Sequence, residues 1–107
     1  MRRKNVVPNA LAALALIGAA GTASGQHLTA EDISVLAGVC ANCHGPDGHS
    51  RGAIPGIAGK PYVAQLALLQ AFKADSIPDT TVMNRLAKGY SDAELDALAR
   101  HFSEIGK

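Results

Sequence analysis

The segment Cys40-Ala41-Asn42-Cys43-His44 carries both cysteines of the chain, and their spacing limits what a fold can do with them. A bridge between cysteines three positions apart closes a loop too small to restrict the unfolded chain much. The pair therefore does not staple a domain in the manner of a small disulfide-rich protein. The chain nevertheless needs a staple. Of its 107 residues the first 25 read as a removable leader, which leaves about 82 for a domain. A domain of that size stands near the lower limit for a self-sufficient core. Its aromatics are Tyr62, Phe72, Tyr90 and Phe102, with no Trp. Cores this thin are usually completed by disulfides, a metal or a cofactor.

The leader is read from three features in order. Met1-Arg2-Arg3-Lys4 is a positive cluster, Ala10–Ala20 is an uninterrupted apolar run of eleven residues, and Ala23-Ser24-Gly25 is a small-x-small site before Gln26. That succession marks a secretory signal peptide over 1–25, and the run is too short for a membrane span, which takes roughly 20 residues. The expected product is one domain over 26–107, delivered to the periplasm. Three of the ten basic residues and none of the nine acidic ones lie in the leader, so the remainder carries seven against nine, a net charge of −2. This balance argues against a nucleic-acid partner and offers no basic face to a membrane.

Four helical segments and no strand are expected, an all-α domain. Thr29-Ala30-Glu31-Asp32 is an acidic capping box, followed by Ile33, Leu36, Ala37 and Cys40 at helical spacing. Residues 44–60 are rich in glycine and contain Pro46 and Pro55, which predicts a loop long enough to carry function. Pro61 suits the first position of a second helix, with Val63, Leu66, Leu69, Gln70 and Phe72 along it until Ser76-Ile77-Pro78-Asp79 breaks it. A short third helix over about 81–88 stops at Gly89 in a left-handed cap. Ser91-Asp92-Ala93-Glu94 is a second capping box, and Leu95, Leu98, Ala99 and Phe102 form the stripe behind it. The stripes of the first and last helices can meet, but neither covers the middle helices as well. That arrangement suggests helices around an apolar plate.

Cys-x-x-Cys-His is the attachment signature of a c-type haem. Two thiols at this spacing reach the two vinyl groups on one edge of the porphyrin, and the adjacent His44 is then held under the iron. Attachment takes place outside the cytoplasm, which agrees with the leader. A zinc site would need a second regular pair of ligands, which the chain lacks. A thioredoxin-type dithiol belongs at a helix N-terminus in a βαβ setting, whereas this pair ends a helix. A plain disulfide leaves His44 and the glycine-rich loop without a role.

An electron-carrying haem takes Met or His as its second axial ligand. After the leader, the chain has one methionine, Met83, and three other histidines, His27, His49 and His101. His27 is at the terminus, His49 is too close to His44 to reach the far face easily, and His101 lies within the last helix. Met83 is therefore the expected ligand, the alternative being that it merely fills core space. Arg85 and Lys88 flank it and can meet a haem propionate or an acidic partner, or simply face solvent. Tyr90 can hydrogen-bond near the haem or pack under the turn.

The order helix, CxxCH, glycine-rich loop, helix, Met and C-terminal helix resembles class I cytochrome c. His44-Gly45-Pro46-Asp47-Gly48 and Ile54-Pro55-Gly56-Ile57-Ala58-Gly59 resemble its small bacterial periplasmic members. The resemblance implies helices wrapped around one covalent haem, and Pro55 as the residue whose carbonyl accepts the hydrogen bond of the proximal histidine. A narrower match runs through Ala71-Phe72-Lys73 and Met83-Asn84-Arg85-Leu86-Ala87-Lys88-Gly89-Tyr90-Ser91. It is similar to the haem domain of the cytochrome subunit of flavocytochrome c sulfide dehydrogenase, in which the corresponding Met is the distal ligand. Many relatives have a second haem domain; this chain has a single CxxCH. What the resemblance implies is a one-haem, non-enzymatic electron-transfer subunit that accepts electrons from a flavoprotein. A freely diffusing periplasmic shuttle, and a haem enzyme or sensor with an open sixth position, are the alternatives.

Overall fold

A computed structural model describes residues 27–106, so the expected leader, with its cleavage site, lies outside the described residues. Four α-helices occur among them, and no strand: α1 Ala30–His44, α2 Tyr62–Lys73, α3 Met83–Ala87 and α4 Asp92–Glu104, with one 3-10 turn at Pro46–Gly48. Helix α4 packs on both α1 and α2, and α2 also packs on α3.

Both expected capping boxes are formed. In α1, Thr29 Oγ1 accepts from the Asp32 amide at 3.1 Å while Asp32 Oδ2 accepts from the Thr29 amide at 2.9 Å. Ser91 and Glu94 make the same reciprocal pair at the start of α4, 3.1 and 2.8 Å. Each box satisfies two amides that the first turn leaves without partners. Behind the second box, Leu95, Leu98, Ala99 and Phe102 are all buried, as their spacing predicts. Ala37 of α1 meets Leu98 and Phe102, with Leu36, Cys40, Ile57, Tyr90 and Ile105 packed around them.

Helix α2 departs from expectation. Its sequence is apolar on nearly every side, so periodicity does not single out one inner face. Val63 and Gln70 point to solvent, and the buried residue is Gln65. Pro61 sits one position before the helix, as its N-cap. The helix also ends earlier than Ser76. Asp75, at φ +55°, takes the left-handed position, its amide donates to Phe72 O at 3.1 Å and the Ser76 amide to Ala71 O at 3.0 Å. These are the two bonds of a Schellman ending. An aspartate fills the place usually given to glycine. Gly89, expected in that role after α3, does not have a positive φ; its amide donates to Leu86 O at 3.0 Å.

Five residues are too few for a helix to stand by itself. Side chains lace α3 to its neighbours: Asn84 Nδ2 donates to Asp75 Oδ1 at 3.3 Å, and Lys88 pairs with the other oxygen of Asp75. Lys73 Nζ donates to Tyr90 O at 2.8 Å and to Asp92 Oδ1 at 3.1 Å, tying the end of α2 to the start of α4. At the other end of α2, the Tyr62 hydroxyl donates to Asp96, and Arg100 joins both by stacking 4.2 Å over the Tyr62 ring and donating to Asp96 Oδ2 at 3.1 Å. The guanidinium and hydroxyl hold the Asp96 carboxyl below its ordinary pKa, the Tyr62 bond being the larger cause.

The loop between α1 and α2 folds back on itself. Gly45 follows α1 at φ +86°, and a Cβ there would stand 2.7 Å from the His49 carbonyl oxygen. Gly48, at φ +79°, accepts from the amides of Ile57 and Ala58 at 2.8 and 3.2 Å. A Cβ on Gly48 would lie 2.8 Å from Ile57 Cγ1 and 2.9 Å from Phe102 Cδ1. Left-handed strain and overpacking then add, so Gly48→Ala is expected to cost about 2–4 kcal/mol. Gly38, helical and with nothing within 4 Å of an added Cβ, is the contrast. Gly38→Ala is expected to stabilise by about 0.5–1 kcal/mol through helix propensity. Denaturant midpoints of the two variants should therefore move in opposite directions.

Candidate cofactor site

All four helices and the loop converge on a cavity of about 430 Å³ whose wall is almost wholly apolar. The last turn of α1 supplies Cys40, Cys43 and His44 to that wall, and the first residue of α3 supplies Met83. Residues three apart on a helix share a face, so the two thiols stand one above the other. They are not joined to each other; Cys40 is half-buried and Cys43 exposed. Burial pushes the Cys40 thiol up from its ordinary pKa, and its sulfur is 3.8 Å from Leu36 O. A redox dithiol needs a depressed pKa, so this environment is opposite to that of a thioredoxin-type pair. Among the described residues no three His, Cys, Asp or Glu side chains gather to hold a metal ion, which leaves a zinc reading without its remaining donors.

His44 is half-buried at the end of α1, and its Nδ1 donates to Pro55 O across 2.6 Å. A neutral imidazole with its proton on Nδ1 keeps a lone pair on Nε2. The carbonyl of an exposed proline thus fixes the tautomer of a residue in the cavity wall. Met83 is half-buried in the same wall. His49 and His101 are not part of it: His49 is exposed beside the 3-10 turn, and His101 packs edge-on against Phe102 with ring centroids 5.0 Å apart. Arg85 and Lys88 also stay outside the wall, and Lys88 is engaged with Asp75. Tyr90 belongs to the wall.

Two wall residues have no sequence signal. Gln65 is 7% exposed, and its Nε2 donates to Ile57 O at 2.8 Å and Lys60 O at 3.0 Å. Lys60 also borders the cavity. A sequence reading looks for periodic apolar residues and known donors, and a glutamine bonded to backbone carbonyls is neither.

Around the mouth stand Val39, Ile54, Leu68, Val82 and Leu86, each between 41% and 57% exposed. Large apolar side chains clustered in this way mark a surface that something apolar covers. The donor set is equally specific: two thiols on one face, an imidazole lone pair and a thioether, around an apolar space. These residues fit a porphyrin held by thioether bonds.

No family model matches the chain. It is 43% identical over 74 residues to the cytochrome subunit of sulfide dehydrogenase of Chlorobaculum tepidum, an alignment covering 68% of this chain and 66% of the relative. The likeness supports a cytochrome c that resembles that subunit. A haem is the cofactor that this likeness implies, and the all-helical architecture is compatible with the cytochrome c fold. The aligned part of the cytochrome spans just under two thirds of the length of its relative.

Proposed function

We propose that this cytochrome transfers single electrons in the periplasm through one covalently attached haem c, as the haem-bearing partner of a flavoprotein sulfide dehydrogenase. One observation carries the reading: Cys40, Cys43, His44 and Met83 line the same apolar cavity. In this reading Cys40 and Cys43 form the thioethers, and His44 and Met83 are the axial ligands. The haem, when bound, supplies an iron that takes up and releases one electron. Pro55 holds the Nδ1 proton of His44, so that Nε2 is presented as a basic donor. Met83 stands at the head of a short helix whose neighbours Asn84 and Lys88 are bonded to Asp75, just beyond α2. The apolar wall excludes water, which limits the solvent rearrangement that accompanies a change of charge.

Support for the partner comes from the relative, whose name makes it a subunit of sulfide dehydrogenase. The exposed side chains at the mouth, Ile54, Val82 and Leu86 among them, offer an apolar rim suited to a lasting subunit contact. A shuttle that relies on rapid encounter is steered by a pronounced patch of charge. No helix among the described residues is long and apolar enough to cross a membrane.

Two outcomes follow. Met83→Ala is expected to keep the protein coloured, gain high-spin character and bind carbon monoxide readily once reduced. An unchanged ferrous spectrum would move the ligand elsewhere, with His49 and His101 next to test. For the partner, the purified cytochrome alone should remain oxidised in sulfide on the catalytic timescale and be reduced within turnovers when its flavoprotein is present. A lone monomer in fresh periplasm, free of flavin in every fraction it occupies, would replace the subunit reading with that of a diffusing carrier.

A further inference from the structure

The residues that fix His44 are themselves held in place. Pro55 is exposed at the edge of the cavity wall, and the backbone that carries it is tied down beside it. Two residues on, the Ile57 amide donates to Gly48 O at 2.8 Å, and the Ala58 amide donates to the same oxygen at 3.2 Å. Those bonds anchor the segment to the 3-10 turn that follows His44. On its other side the Ile57 carbonyl accepts from Gln65 Nε2 at 2.8 Å, and the second hydrogen of that amide goes to Lys60 O at 3.0 Å. Gln65 is buried on the inner side of α2, so the loop is fastened to a rigid element at this point. Both hydrogens of the side chain are used on one loop.

We propose that Gln65 is a positioning residue for His44: by clamping Ile57 and Lys60 to α2 it holds the Pro55 carbonyl on His44 Nδ1 and so sets the basicity of the ring. This inference rests on the reading of His44 as the proximal ligand. A firm acceptor on Nδ1 raises the basicity of Nε2 and favours the ferric iron. When the clamp is lost, the carbonyl fluctuates, the ring donates less, and the ferrous form gains.

The test compares the loaded protein with Gln65→Met, similar in length but without donors, and with Ala99→Gly. Ala99 is buried in α4 and is not part of the cavity wall, so Ala99→Gly controls for a general loss of stability. Two quantities are read: the redox equilibrium against a mediator of known potential, and the exchange rate of the His44 Nδ1 proton in the ferrous protein by NMR. Gln65→Met is expected to shift the equilibrium toward the ferrous form about threefold to tenfold and to speed exchange about tenfold, less than the roughly 10–100-fold that follows direct loss of an outer partner of a metal ligand, because Gln65 acts through the Pro55 carbonyl. Ala99→Gly should leave both near their original values. Gln65→Asn, which draws the amide back by one methylene, should move both quantities in the same direction and serves where Gln65→Met does not accumulate. Wild-type values in the Gln65 variants, or an equal shift in Ala99→Gly, overturn the inference while leaving the haem reading intact. A His44 ring whose resonances are untouched by the iron in the unaltered protein overturns the ligand assignment, and this inference with it.

Discussion

Six hydrophobic residues are buried among the described positions, and three of them, Ala37, Ala87 and Ala99, are alanines. Leu95, Leu98 and Phe102, all on α4, are the large ones. Burial of a large apolar side chain contributes roughly 1.5–3 kcal/mol, and ordering each residue costs about as much. Three such side chains cannot hold four helices together. Val39 of α1, Leu68, Leu69 and Phe72 of α2, Leu86 of α3 and Ile54 of the loop line a shared cavity instead. The fold therefore depends on what fills that space. In the proposed reading, an apolar porphyrin placed there would supply the contacts that the side chains do not make with one another, and thioethers to Cys40 and Cys43 would keep it from leaving.

Fold and site are consequently one object. His44 terminates α1, Gly45 turns the chain, and the loop returns to place the Pro55 carbonyl on the His44 ring. Each step follows from a local cause: a left-handed turn that glycine tolerates, a 3-10 turn, and a carbonyl of Gly48 shared by two amides. Met83 is supplied from the opposite end of the sequence by a helix too short to be stable by itself. Its lacing is mostly exposed ion pairs and hydrogen bonds, individually weak. The contrast assigns firmness to the His44 side and latitude to the Met83 side.

Much of this was legible in the sequence because it is written in local patterns. Thr29–Asp32 and Ser91–Glu94 announce their helices, and the α4 stripe names the buried face. Helix α2 was harder, since an apolar residue at almost every position leaves Val63 and Gln70 indistinguishable from inner ones. The end of α2 was missed by two residues because Asp75 takes a conformation usually sought at glycine. Gln65 and Lys73 act on backbone carbonyls far away in sequence, Ile57 and Tyr90 among them, and no composition or periodicity reveals such partners. Cys40, Cys43 and His44, by contrast, stand out by their spacing and Met83 by elimination, and all four line the cavity.

The central claim is that one haem is bound covalently through Cys40 and Cys43. Intact-mass measurement of the native protein after denaturation and acid–acetone extraction tests it most directly. The account predicts a single coloured species heavier than the mature chain by one haem. Haem recovered in the acetone, with the polypeptide left at its bare mass, would contradict it.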